Sequence, residues 1–304
     1  MHPIPIAPRD GATRIGVDDV QRIAAFSDGL QGGNPAGVWI GDTLPPDPVM
    51  QRVASAVGYS ETAFAAPLGD GWRVRYFSPE SEVPFCGHAT IALGAALAAS
   101  RGDGVYPLLL NDAAITVEGR RGVGADGQVL TSAARQSPPT RSAPAPPEVV
   151  AQALALFGYR PGDLDPRIPP ALAHGGAGHL VLALRSRGLL AAMHYEFDAG
   201  RRFMRALGIV TVVLAWAETD TLFHTRNPFA SGGVYEDPAT GAGTAALAGY
   251  LGALGWPHGG AIDIVQGEDM GMRSRLRAEI GMERGGSIRV SGTARMLPAP
   301  IQSP

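Results

Sequence analysis

The strongest pattern in the chain is a pair of segments with almost no polar positions, residues 90–99 (TIALGAALAA) and 244–254 (TAALAGYLGAL). Both predict helices that are apolar on every side. A helix of that kind, too short to cross a bilayer, has to be enclosed by the rest of the protein. Around them, alternation at every second residue predicts half-buried strands, most clearly at Trp72–Phe77 (WRVRYF). The first half reads as strands at Val20–Phe26, Gly37–Ile40, Thr62–Ala66, Trp72–Phe77, Leu108–Leu110, Ile115–Glu118 and Gln128–Ser132, with a further helix at Pro46–Val57. The second half adds helices at Pro147–Phe157 and Phe197–Leu207. Its strands are predicted at Leu180–Leu184, Val210–Ala217, Leu222–Thr225, Ala261–Gln266, Arg275–Ile280 and Ser287–Val290.

Between the halves lies Ser137–Pro147, with five prolines in eleven residues, which predicts a connector without regular structure. The expected organisation is an N-terminal unit over 1–136, the connector over 137–147 and a C-terminal unit over 148–304. The last strand is able to cross back to the first unit.

The two apolar helices belong to an internal repeat. The segment EVPFCGHATIALGAAL from Glu82 and the segment EDPATGAGTAALAGYL from Glu236, 154 residues later, agree at seven of sixteen positions. The shared residues include Glu82 with Glu236, Pro84 with Pro238, Gly87 with Gly241 and Thr90 with Thr244. Each copy is a turn that opens a buried helix. The first N–H groups of such a helix have no helical acceptor, and the helix dipole places partial positive charge there. Two of these starts facing a common cleft would bind an anion such as a substrate carboxylate.

Composition narrows the chemistry. All twenty-five basic residues are Arg, and there is one cysteine, Cys86. Lysine Schiff bases, a P-loop lysine, an intrachain disulfide and a two-cysteine racemase are therefore impossible. A net charge of −3 with scattered arginines argues against nucleic acid as a partner. Met1–Asp10 lacks the apolar run of a signal peptide, and nothing approaches eighteen apolar residues in a row, so a cytoplasmic protein without membrane spans is expected.

Within the repeat, the residues that differ between copies are the candidates for chemistry. His88, in the first turn of the first helix, faces Ala242 in the second copy; Asp237 faces Val83. His88 can also be read as a core histidine satisfied by a carbonyl, and Asp237 as a turn cap before proline. Glu61, in YSETAF, is either a solvated surface residue or an acid–base group raised by its apolar neighbours. Cys86 reads as a packing residue or a substrate contact rather than a nucleophile. Gly175–Gly178 (GGAG) lacks the spacing of a dinucleotide fingerprint and predicts a turn, and His174 with His179 lacks a metal-binding pattern. No metal site is expected.

Together these segments resemble the phenazine-biosynthesis PhzF-like family, a branch of the diaminopimelate epimerase and proline racemase superfamily. The resemblance is carried by GNPAGV (33–38), SETAF (60–64), RYFSPESEVPFCGHAT (75–90), GGAGHLVLAL (175–184), EDPATGAG (236–243) and QGEDMGMRSRL (266–276). It implies an α+β fold of the diaminopimelate epimerase type, two pseudo-symmetric halves each an antiparallel barrel-like sheet around a central helix. It further implies a cofactor-free isomerase that moves a proton, and so a double bond, on a small unsaturated cyclic carboxylic acid in specialised metabolism. On this resemblance Glu61 is the proton shuttle, assisted by His88 and Asp237, with Asn34, Cys86, Gly87, Gly241 and Ala242 contacting substrate. A homodimer is also implied. Many members have Ser where this chain has Ala242. A non-catalytic member that binds a small acid or a protein, and a hydrolytic or C–C-cleaving variant on the same site, remain open alternatives.

Overall fold

The computed structural model describes residues 15–123 and 129–298; the readings at Met1–Asp10 and at Gln128 lie outside them. Strands β1 (Gln21–Ala25) and β2 (Asn34–Ile40) pair antiparallel, and helix α1 (Asp47–Val57) leads to β3 (Thr62–Leu68). Strand β4 (Gly71–Phe77) and the short β5 (Glu82–Val83) precede α2 (Gly87–Arg101). Then come β6 (Gly104–Leu109), β7 (Ala114–Val123) and β8 (Val129–Gln136). The second series runs β9 (Arg141–Pro144), α3 (Pro147–Phe157), β10 (Ala171–His174), β11 (Gly178–Ala183), α4 (Arg187–Ala191), α5 (Phe197–Leu207), β12 (Thr211–Ala217) and β13 (Leu222–Phe229). It ends with β14 (Val234–Asp237), α6 (Gly241–Leu254), β15 (Ala261–Gln266), β16 (Ser274–Ile280) and β17 (Ile288–Met296).

Eight strands close the first barrel in the order β1, β2, β3, β4, β6, β7, β8, β17 and back to β1. Most pairings are antiparallel. The parallel ones, β2 with β3, β4 with β6, β11 with β12 and β13 with β15, each span a helix, because a parallel return needs a crossover longer than a hairpin turn. The repeat seen in the sequence is thus a repeat of topology. In both copies the helix that opens after the Glu-containing turn is the crossover that fills the barrel. Helix α2 is buried without interruption from His88 to Ala98, and α6 from Gly243 to Leu251. Their side chains share one apolar core with the inward faces of both sheets.

The proline-rich stretch corrects an expectation. It carries β9, which pairs antiparallel with β10 from Arg141 opposite His174 to Pro144 opposite Ala171. Proline lacks a ladder donor but is tolerated where a strand ends, and Pro144 is the last residue of β9. Ser137–Thr140 lie between β8 and β9, and the Ser137 hydroxyl accepts from the Ile288 N–H at 2.9 Å there. Chain therefore passes from β8, paired with β7, to β9, paired with β10. Strand β17 makes the converse crossing: Ile288–Ser291 pair with β16, and Ala294–Met296 with β1. The two crossing segments meet antiparallel, Thr131 opposite Ala294 through Gln136 opposite Arg289.

Candidate active site

The first turn of α2, the segment before β3 and the end of β14 converge where the halves meet. Cys86 occupies the N-cap position of α2 and Thr240 that of α6, and neither side chain caps its helix. The Thr240 hydroxyl instead donates to Asp237 Oδ2 at 2.5 Å. Neither N-cap side chain is recorded as capping the N–H groups that open its helix, at Gly87 in α2 and at Gly241 and Ala242 in α6, and open N–H groups at a helix start are what an anion site requires.

Glu61 and His88 come together although 27 positions separate them in the chain, with His88 Nε2 3.5 Å from Glu61 Oε2. The Ser60 hydroxyl lies 3.3 Å from the same nitrogen, and Cys86 Sγ lies 3.4 Å from Nδ1. Ser60 and Cys86 thus approach the imidazole at its two nitrogens, and the Glu61 carboxylate lies beside Nε2. Burial pushes the Cys86 thiol well above its ordinary value, and the negative Glu61 adds to the effect. Cys86 is a protonated thiol at neutral pH, not a thiolate nucleophile.

Asp237 belongs to the other half. Asn34, the first residue of β2, donates its amide to Asp237 Oδ1 at 2.8 Å and to the Ala239 carbonyl at 3.2 Å. Desolvation pushes the Asp237 carboxyl up to about 6; the neighbouring His88, Thr240 and Asn34 act in the opposite direction, and the charge of Glu61 raises it. A carboxyl poised near neutrality beside a His–Glu pair can hold or release a proton at physiological pH.

Three participants carried no signal of their own in the sequence. Gln266 ends β15, and its amide donates to the Asp237 carbonyl at 2.7 Å and to Thr240 Oγ1 at 3.0 Å, while its oxygen accepts from the Thr240 N–H at 3.2 Å. Ser60 is adjacent to Glu61, and Thr240 occupies the repeat position of Cys86.

The residue shared by both copies has a different task. Glu82 accepts from Arg75 Nε at 2.7 Å on β4, and Glu236 accepts from Arg226 Nε at 3.0 Å on β13. Each pair locks the turn that delivers the central helix. In the second copy the pair is buried, and Arg226 Nη1 also donates to the Ala191 carbonyl at 2.9 Å. The glycines of GGAG act by packing: a Cβ on Gly175 would lie 2.5 Å from the Ala246 nitrogen, so the turn sits directly on α6. His179 is a core residue whose Nδ1 is 2.8 Å from the Thr211 hydroxyl, and burial holds it neutral with its pKa lowered to about 3.

The profile of the phenazine biosynthesis-like protein family matches residues 23–298. The trans-2,3-dihydro-3-hydroxyanthranilate isomerase of Pseudomonas aeruginosa is 30% identical over 275 residues, which span 89% of this chain and 94% of that protein. Among solved structures, the PhzF-family phenazine biosynthesis protein of Bacillus anthracis superposes with a TM-score of 0.77 at 21% identity, covering 92% of this chain and 96% of that one. A hydroxyproline epimerase from Agrobacterium vitis shares the fold with a TM-score of 0.55 at 15% identity, over 91% of this chain and 88% of its own. No helix among the described residues is long and apolar enough to cross a membrane.

Proposed function

The chain belongs to the phenazine biosynthesis-like family of isomerases, and on that premise we propose that it moves a proton, and with it a double bond, on a small unsaturated cyclic carboxylic acid. The observation that carries this reading is the 3.5 Å contact between Glu61 and His88 at an uncapped helix start. Glu61 as carboxylate takes a proton from a ring carbon, and as carboxylic acid returns it to another carbon of the same ring. One carboxyl suffices because donor and acceptor carbons lie on one substrate. His88 holds Glu61 in place through Nε2, and Asp237 supplies the opposing wall. The N–H groups at the starts of α2 and α6 receive the substrate carboxylate, and their positive dipole ends stabilise the charge that develops when the ring proton leaves. Ala242, in the first turn of α6, offers no hydroxyl to that substrate, so recognition there falls to backbone groups.

The compound that names the Pseudomonas relatives, trans-2,3-dihydro-3-hydroxyanthranilate, is the first to test. Turnover in deuterium oxide is expected to place solvent deuterium in the product. Glu61→Gln is expected to fold normally and lose on the order of 10²–10⁴-fold in turnover, the usual worth of a positioned acid–base group. Undiminished turnover in that variant sinks the assignment. Product mass separates isomerisation, which leaves it unchanged apart from isotope, from hydrolysis or carbon–carbon cleavage.

A further inference from the structure

Arg135 stands on β8 opposite Val290 of β17. Two residues earlier, Ala133 packs on α2, so closely that a Cβ at Gly94 would lie 3.0 Å from its own Cβ. Alternation along the strand turns Arg135 to that same inner face. There its guanidinium lies over the Phe85 ring, 4.5 Å from the centroid. Phe85 directly precedes Cys86 and meets Tyr76 edge-on, with centroids 6.1 Å apart and planes at 76°. The Tyr76 hydroxyl is 2.7 Å from Thr90 Oγ1, which donates to the Cys86 carbonyl at 2.6 Å. The Arg135 head group is thus held against the segment that opens α2 and carries His88.

Its charge has no counterpart. Arg226 and Arg289 face Glu236 and Glu118, and the buried Arg22 donates to the Val17 carbonyl at 3.4 Å. Among the described residues no carboxylate pairs with Arg135, and its Nε is buried without a hydrogen-bond partner. Burial pushes the guanidinium below its ordinary value, and the groups that act on its charge, Tyr76 and Cys86, are both protonated at neutral pH. The two Nη groups, equally without partners, are not sealed, and the residue as a whole is half-buried. A withdrawn cation without a counter-ion costs free energy, and a planar fork with an open edge matches a carboxylate.

We propose that Arg135, held on Phe85, receives the carboxylate of the substrate and makes the cleft selective for acids over their neutral amides. The inference rests on the reading of the cleft as a site for a small cyclic acid, and it names the residue that recognises the acid. Helix starts accept a neutral carbonyl as well as an anion; a full positive charge separates the two.

The test titrates the full chain with anthranilate and with its neutral isostere anthranilamide, read by ligand fluorescence. The wild type is expected to bind the acid about tenfold or more tighter than the amide, the worth of one charge-assisted pair. Arg135→Gln should erase that preference by weakening the acid alone, without lowering the melting temperature, because it removes an unpaired charge. Arg135→Lys, which keeps the charge but not the fork, should retain part of the preference. A preference that survives in Arg135→Gln overturns the proposal, as does a wild type that binds both ligands alike. Loss of both ligands in step with a lowered melting temperature also overturns it and makes the arginine a packing residue. If the glutamine variant does not fold, Phe85→Leu decides: loosening the guanidinium must weaken the acid and spare the amide, and an unchanged preference overturns the proposal. Binding is read apart from turnover, so undiminished activity in Glu61→Gln would remove the acid–base reading and leave this result intact.

Discussion

The Asn34 side chain, in the first half, hydrogen-bonds the Asp237 carboxylate of the second half at 2.8 Å, and this contact ties the two copies together at the site. It stabilises an ion in a place that otherwise disfavours one. Asn34→Ala is expected to make Asp237 harder to ionise. The limb of the kcat/KM profile that reports this carboxyl should move to higher pH, and an unmoved profile would show that Asp237 does not control the rate.

Asp237 also makes stability depend on pH. Its native pKa, pushed up to about 6 from an ordinary 3.8, means that the native state binds the proton more tightly than the unfolded chain. The stabilisation is complete below about pH 3.8 and is lost as pH rises through 6. Asp237→Asn removes that dependence, so its melting temperature should gain on the wild type between pH 4 and pH 8. A difference between the two proteins that stays constant over that range would contradict the buried, raised carboxyl.

Arg226 and Arg75 hold equivalent glutamates in unequal surroundings. Arg226→Met leaves Glu236 charged and buried, and the expected loss is about 3–5 kcal/mol. Arg75→Met leaves the more exposed Glu82 near Asn111, whose amide donates to it at 2.7 Å, and should cost no more than about 1 kcal/mol. Urea midpoints of the two variants provide the comparison.

Gln266→Leu removes an amide that serves the Asp237 carbonyl, the Thr240 hydroxyl and the Thr240 N–H. Leaving buried partners unsatisfied is expected to cost about 2–3 kcal/mol. Because these groups set the end of β14 and the start of α6, turnover should fall even at temperatures where the variant is fully folded. Wild-type turnover in a destabilised Gln266→Leu would confine the residue to a structural role.

Much of this architecture is legible in the residues. The central helices announced themselves because a helix apolar all round has nowhere to go but the inside of a barrel, and the repeat showed that there are two. Helices α3 and α5 and strand β15 lie where the pattern puts them. Strands β9, β10 and β14 escaped notice: each has only four residues, too few for alternation to register, and β9 ends on a proline. For the site, asymmetry between the copies pointed to His88 and Asp237, whose places in the other copy are taken by Ala242 and Val83. Gln266 was not legible, since its partners are Asp237 and Thr240, 29 and 26 positions away.

The path of β17 has a consequence for synthesis. Thr131 bonds the Ala294 carbonyl across 163 positions, and Ser27 bonds Thr293 across 266. While a ribosome makes the chain, β1 and β8 wait as open sheet edges until the second half has emerged behind them. Neither edge can be sealed early, because the strand that seals both comes last of the seventeen among the described residues. Such long-range closure slows folding and leaves edges able to pair with other chains in the meantime. The nascent first half is thus the stage at which a holdase chaperone would matter most.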